Sequence, residues 1–135
     1  MTAGYSGTPL ARKLGITTGA TLAVIDDPGH FGEIVAPLPE AVTVRNSARG
    51  KADVVVFFTK ERRRLAQRID SLGRMIFPNG AAWVAWPKRA SKVPTDMTED
   101  VVREFALPTG LVDVKVAAID ETWSGLKLVW RKERR

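Results

Sequence analysis

Residues 81–92 read AAWVAWPKRASK, a pattern that indicates the centre of a sheet. The first six residues are apolar on both faces, which is typical of a strand covered by helices on both sides of a parallel α/β sheet. Pro87 lacks the N–H that a sheet ladder needs, so we expect the strand to end there and the chain to leave as a basic loop. Ligands of open α/β sheets bind at the carboxyl ends of the strands, and this loop is expected on that edge.

Three further segments predict strands earlier in the chain. Residues 52–59, ADVVVFFT, carry the strongest signal, because five consecutive β-branched or aromatic residues are flanked by polar ones. TLAVI at residues 21–25 predicts the first strand, and AVTVR at residues 41–45 alternates like a short strand nearer the sheet edge. We expect residues 54–58 and 82–86 to be central parallel neighbours.

Two helices are predicted between the later strands. Apolar residues recur at helical spacing over residues 60–76, with Thr59 as the expected N-cap. Thr98 is the expected N-cap of the next helix, because the two acidic residues after it suit the positive end of a helix dipole. Residues 31–39 contain two prolines, so we expect no full helix there.

The last two strand signals predict a hairpin. Residues 114–119 follow a helix stop as a strand, and LKLVWR at residues 126–131 alternates like an antiparallel partner that closes the sheet. A polar turn at residues 120–125 joins the two. The sequence therefore predicts an α/β fold with a mainly parallel sheet, helices on both faces and an antiparallel last strand.

Composition narrows the classes of function. A chain of 135 residues is expected to form a single domain over residues 1–135. It has no cysteine and one histidine, His30, which excludes disulfides and thiolate or multi-histidine metal sites, so we predict no metal. No apolar run approaches the roughly 18 residues of a membrane span, and the amino terminus lacks the apolar core of a signal peptide. We expect a cytoplasmic protein with no membrane partner.

The net charge of +6 is concentrated in the middle of the chain. Residues 45–92 carry twelve bases and three acids, whereas the flanking segments each carry a slight excess of acids. This favours an anionic partner, although an arginine-rich solvent surface has the same composition. Lys60, Arg64 and Arg68 form a basic stripe on one predicted helix, which is an arrangement that a nucleic-acid backbone could follow.

The turns after parallel strands are expected to meet at one edge of the sheet. They would bring Asp26, Asp27 and His30 close to the basic loop after Pro87 and to the hairpin turn. Bases, hydroxyls, carboxylates and an aromatic ring are the mixture expected of a pocket for a small anionic ligand. The predicted ligand-binding residues are Lys88, Arg89, Ser91, Lys92, Asp120, Glu121, Trp123 and Ser124.

Three sequence blocks are spread along the chain between residue 1 and residue 129. They are MTAGYSGTPLARKLGI at residues 1–16, VAWPKRASKVPTDMTEDVVRE at residues 84–104 and GLVDVKVAAIDETWSGLKLV at residues 110–129. These blocks resemble a family of small bacterial proteins known only as a domain of unknown function. The resemblance implies a stand-alone α/β protein and no known activity.

The order of the predicted elements supports a second resemblance. Asn79-Gly80 precedes a central strand, and residues 114–131 end the chain as a hairpin. This order is similar to the class I S-adenosylmethionine-dependent methyltransferase fold with a shortened front half, and it implies a three-layer, Rossmann-like architecture. That family has a glycine-rich loop after its first strand, whereas residues 26–30 read DDPGH here, so we expect no cofactor at this turn.

Three functions fit these predictions. The first is a non-catalytic binding or regulatory module for a small anionic ligand or partner. The second is a small enzyme at the same edge, with Asp120 or Glu121 as the base and the basic loop after Pro87 holding a phosphate or carboxylate. The third is nucleic-acid binding through the basic helix of residues 60–76.

Overall fold

The computed structural model describes residues 7–135, so the first six residues of the amino-terminal sequence block lie outside the described part. The strands are β1 (Thr21–Ile25), β2 (Thr43–Arg45), β3 (Val54–Phe58), β4 (Ala81–Pro87), β5 (Leu111–Ala118) and β6 (Trp123–Trp130). The α-helices are α1 (Leu10–Lys13), α2 (Phe31–Val35), α3 (Arg62–Ile76) and α4 (Glu99–Ala106). Short 3-10 turns occupy Arg89–Ser91, Leu107–Thr109 and Lys132–Arg134.

The six strands form one sheet in the order β2-β1-β3-β4-β6-β5. The first four strands pair in parallel, and the two central ones are neighbours with Val56 opposite Trp83. β6 pairs antiparallel with β4 on one side and with β5 on the other. The predicted mainly parallel sheet, its central strand pair and its antiparallel last strand are confirmed.

Helices cover both faces of the sheet and close two separate cores. One core joins β3 and β4 to α3 and α4, and it includes Leu72, Trp86 and Val102. The other lies against α1 and α2 and includes Phe31 and Trp83. Because residues three apart on a strand point to opposite faces, the two tryptophans of β4 belong to different cores. The result is a three-layer α/β fold.

β4 ends at Pro87, as the sequence predicts, but the proline is the last residue of the strand instead of the first residue after it. The strand includes Pro87, which lies opposite Trp123 of β6. Pro87 cannot donate a hydrogen bond to β6, but the N–H of the next residue, Lys88, donates to the carbonyl of Thr122 at 2.9 Å. One absent N–H is therefore tolerated at the last position of this strand.

The hairpin is longer than predicted, and its second strand is not at the edge. β5 begins at Leu111 rather than residue 114, and β6 begins at Trp123 rather than residue 126. β6 lies between β4 and β5, so β5 rather than the last strand closes this side of the sheet. The interior position follows from burial of Leu126 and Leu128, which pack in the core under α3 and α4.

The helix starts agree only in part with their predicted caps. The side chain of Thr98 accepts the N–H of Val101, which confirms the predicted start of α4. Thr59 does not cap α3, because its Oγ1 accepts the N–H of Glu61 while Asp96 accepts the N–H of Arg62 at 2.7 Å. α2 is five residues long, as expected for a segment followed by prolines. Within residues 7–135 the helices lack the length and apolar character needed to cross a membrane.

We expect Trp83→Ala to lower the free energy of unfolding by about 3–5 kcal/mol, because it removes a buried indole from the central strand. It also leaves the carbonyl of Leu14 without its donor, the indole N–H at 3.0 Å. Urea unfolding followed by circular dichroism measures the change. Val44→Ala in the exposed strand β2 is the control and should cost less than about 0.5 kcal/mol. Equal losses in the two variants would contradict the central position of β4.

Candidate functional site

Turns from several strands meet at the carboxyl edge of the sheet, as the sequence predicts. β1 leads into residues 26–30, β4 into Lys88, and the β5–β6 hairpin turns at residues 119–122. Nε2 of His30 lies 2.5 Å from Oδ2 of Asp120, which is 90 residues later in the chain. This contact joins the turn after β1 directly to the hairpin turn.

Asp120 organises the hairpin turn. Its Oδ1 accepts the backbone N–H groups of Thr122 at 2.8 Å and Trp123 at 2.7 Å. Burial by itself raises the pKa of this carboxyl, but the hydrogen bonds from His30 and from the two backbone groups outweigh burial and hold the pKa of Asp120 below its usual value. A carboxylate with a lowered pKa is a weak base at neutral pH, so Asp120 is poorly suited to general-base catalysis.

Lys88 fastens the loop after β4 to the hairpin turn. Besides the backbone bond to Thr122, its Nζ donates to the carbonyl of Asp120 at 3.2 Å. The ammonium group of Lys88 is therefore engaged within the protein. Its two contacts fix where the following 3-10 turn stands at the edge.

The turn Arg89–Ser91 presents the remaining bases of this loop. Ser91 shapes the turn, because its Oγ donates to the carbonyl of Lys88 at 2.7 Å. Lys92 follows in the left-handed region, with φ of 61°. Arg89 and Lys92 are exposed, and their side chains make no hydrogen bond or ion pair within residues 7–135. These two positive charges are thus available to a ligand.

The carboxylates after β1 already have partners. Oδ2 of Asp26 pairs with the guanidinium of Arg64 from α3 at 2.8 Å. Oδ1 of Asp27 accepts the N–H of Gly29 at 2.8 Å and of Phe31 at 3.3 Å, which closes the turn into α2. In the described part of the chain, no group of three or more acidic or histidine residues is arranged to hold a metal ion.

An aromatic cluster fills the space beneath this edge. The ring of Phe58 contacts Phe31 at a centroid distance of 5.5 Å and Trp123 at 5.2 Å, both edge to face. Trp123 is only 6% exposed, so its ring belongs to the core and little of it faces a ligand. Ser124 is half-buried opposite Trp86 in the sheet. These buried rings pack beneath the turns, so a ligand at this edge would make its polar contacts with the turns and not with the rings.

The predicted ligand-binding residues differ in their surroundings in the structure. Lys88 and Asp120 are brought together, whereas Arg89, Lys92 and the exposed Glu121 line the surface around them. His30 lies at this edge as predicted, although the predicted ligand-binding set does not include it. Arg64, which the sequence places in a nucleic-acid stripe, is paired with Asp26 instead. The signal for His30 was its position directly after the turn that follows β1.

We expect Asp120→Asn to lower the free energy of unfolding by about 1 kcal/mol at pH 7, because a charged hydrogen-bond acceptor becomes neutral. The pKa of Asp120 is lower in the folded chain than in the unfolded chain. Its contribution is therefore present above the unfolded value of about 3.9 and is lost as pH falls through the folded pKa. Urea midpoints of the wild type and the variant should converge as the pH falls below about 3.9 and on through the folded pKa of Asp120. A difference independent of pH would contradict this account.

Solved structures with a similar fold include several methyltransferases. The chain is similar to a SAM dependent methyltransferase from Aquifex aeolicus, with a TM-score of 0.57 and 11% identity over 93% of this chain and 89% of that chain. A putative type 11 methyltransferase from Sulfolobus solfataricus gives a TM-score of 0.63 and 10% identity over 91% and 90%. The N-methyltransferase NodS from Bradyrhizobium japonicum WM9 gives 0.55 and 14% over 90% of each chain.

No protein-family model matches the sequence, and no curated protein matches it. The resemblance of the three sequence blocks to an uncharacterised bacterial family therefore stays a prediction. At identities of 10–14% the structural likeness concerns the fold alone. The chain has a methyltransferase-like α/β fold with a C-terminal antiparallel strand pair.

Proposed function

We propose that this domain is a non-catalytic binding module that acts in the cytoplasm and recognises a small anionic ligand at the carboxyl edge of its sheet. The observation that carries the proposal is the imbalance of free charge at this edge. Asp26, Asp27 and Asp120 have partners within the protein. Arg89 and Lys92 have none among residues 7–135, and together they outnumber the unpaired Glu121 of the hairpin turn. The ligand is held by these two bases beside the hairpin turn.

The position of the two bases supports binding at a defined place. Lys88 ties the start of the loop to the hairpin turn through its backbone and its side chain. Ser91 closes the 3-10 turn on the carbonyl of Lys88. Because both ends of the turn are held, the backbone that carries Arg89 is ordered before a ligand binds, which lowers the entropy cost of binding relative to an open loop.

The two acidic residues of the hairpin turn, Asp120 and Glu121, favour binding without catalysis. Asp120 has a lowered pKa and three hydrogen-bond donors, so it stabilises the turn and is not tuned to accept a proton near neutral pH. Glu121 is exposed, and its side chain makes no hydrogen bond or ion pair within residues 7–135. A catalytic base needs both a tuned pKa and a fixed position, and neither acid has both.

We expect pyrophosphate and citrate, as test anions, to raise the melting temperature of the wild type, since a ligand that binds only the native state stabilises it. Arg89→Gln combined with Lys92→Asn should abolish the rise. Asparagine is chosen because it tolerates the left-handed backbone at position 92 better than most residues. Thermal unfolding at low and moderate salt is the measurement.

The matched control is Arg131→Gln combined with Lys132→Asn directly after β6, which removes the same charge at the opposite edge of the sheet. This control should keep the full rise in melting temperature. An equal loss in both double variants would point to diffuse charge instead of a site, and such an effect also fades with salt.

We expect no binding of S-adenosylmethionine at sub-millimolar concentration. The turn after β1 closes on Oδ1 of Asp27, and Phe31 at the start of α2 is buried against Phe58, where a nucleoside would need open backbone. Isothermal titration calorimetry measures the heat of binding. A micromolar dissociation constant would overturn this expectation and favour an enzyme.

The contact between His30 and Asp120 favours one alternative, a small enzyme at the same edge. In that case Asp120 would orient the imidazole, whose Nδ1 makes no hydrogen bond within residues 7–135, and His30 would serve as the base. Nucleic-acid binding by α3 has less support. Arg64 of the basic stripe pairs with Asp26, and the neighbouring Arg62 pairs with Glu104 at 2.5 Å, so the positive charge of α3 is partly neutralised.

A further inference from the structure

A cavity of about 640 Å³ opens at the opposite edge of the sheet, where the parallel strands begin. The loop before β3 forms one wall, and the last turns of α3 form another. Trp130 reaches this edge because β6 runs antiparallel to its neighbour β4. The lining residues are Ala48, Arg49, Gly50, Lys51, Ser71, Arg74, Met75, Phe77 and Trp130.

Aromatic rings held in fixed positions form the apolar part of the cavity. The indole N–H of Trp130 donates to the carbonyl of Gly73 at 2.8 Å. The ring lies so close to α3 that a Cβ at Gly73 would come within 2.9 Å of it. Phe77 meets Trp130 edge to face at a centroid distance of 5.8 Å and is 42% exposed. Two preset rings therefore offer a surface for another flat ring.

The charged part of the cavity is entirely basic. Arg49, Lys51 and Arg74 line it, and no acidic residue does. Lys51 is engaged, since its Nζ donates to the carbonyls of Arg74 at 2.9 Å and Phe77 at 3.2 Å. The guanidinium groups of Arg49 and Arg74 make no hydrogen bond or ion pair within residues 7–135, and both residues are exposed. They are the two charges that an anion entering the cavity would meet.

The carboxyl end of α3 would normally repel an anion, because free carbonyls carry partial negative charge. Here the last carbonyls already have donors. The carbonyl of Gly73 accepts the indole N–H of Trp130, and the carbonyl of Arg74 accepts a hydrogen bond from the ammonium group of Lys51. The carbonyl of Met75 accepts the N–H of Ala52 at 2.9 Å. The helix end is therefore screened, and the field in the cavity is set by the arginines.

We propose that this cavity binds a small aromatic anion, a flat ring that carries a carboxylate, sulfonate or phosphate group. The ring packs on Trp130 and Phe77, and the anionic group is bound by Arg49 and Arg74. A volume of about 640 Å³ lies within the range of small-molecule sites in proteins, which combine an apolar wall with a few polar groups. This cavity is separate from the carboxyl edge, so the two proposed sites can be tested independently of each other.

The test uses two fluorescent probes of nearly the same shape, anilinonaphthalene sulfonate and its neutral analogue phenylnaphthylamine. Both brighten in an apolar site, and only the first carries an anionic group. The wild type in native buffer should bind the sulfonate saturably with one site per chain. Arg49→Ala combined with Arg74→Ala should weaken the sulfonate at least about tenfold, the equivalent of one charged contact, and leave the neutral probe within about twofold.

Two further variants separate shape from charge. Ala48→Phe places a ring inside the cavity and should weaken both probes by at least about tenfold. Arg89→Gln combined with Lys92→Asn removes the same charge at the carboxyl edge and should leave both probes unchanged. Circular dichroism and urea unfolding confirm that each variant is folded before titration.

Three results would overturn the proposal. One is the absence of saturable sulfonate binding by the folded wild type. Another is unchanged sulfonate affinity after loss of Arg49 and Arg74. The third is an equal loss in the Arg89 and Lys92 variant, which would show diffuse attraction by a basic protein. If the Arg89 and Lys92 variant loses pyrophosphate binding but keeps sulfonate binding, the two anions bind at different sites. That result would support both proposals.

Discussion

The parallel pairing of β3 with β4 is the constraint on which the rest of the structure depends. All five residues of β3 and all seven of β4 are buried, so neither strand has a solvent face and helices must cover both sides. Alternation along β4 builds two cores at once, with Trp83 on one face and Trp86 on the other. The shared direction of the strands also creates two different edges, one made of strand ends and the other of strand starts.

The insertion of β6 between β4 and β5 gives each edge its chemistry. The turn before β6 places Asp120 next to His30 at the carboxyl edge. Trp130, the last residue of β6, contacts α3 at the opposite edge. The insertion requires a close approach inside the sheet. A Cβ at Gly125 would lie 3.1 Å from the ring of Trp83, so a residue without a side chain lets the large indole fit beneath the neighbouring strand.

Ion pairs decide how much of the basic charge is available to ligands. Arg103 of α4 is bound by Asp113 of β5 at 3.0 Å, by Glu99 and by Asp100, and these contacts raise the pKa of its guanidinium above the usual value. Arg64 is paired with Asp26 in the same way, and Lys88 is bound to a backbone carbonyl. What remains without partners within residues 7–135 includes one pair of bases at each edge. Arg89 and Lys92 stand at one, and Arg49 and Arg74 at the other.

The sequence by itself determined the strands, the start of α4 and the edge at which the turns after the strands meet. Runs of β-branched and aromatic residues and the cap at Thr98 act over a few residues, so they can be read without knowing the fold. Only the tertiary structure decided that β6 is interior, that His30 contacts Asp120, that Arg64 is paired and that Trp130 lines a cavity. These features join residues far apart in the chain. They depend on the order of strands in the sheet and on the path of each turn, which local periodicity does not encode.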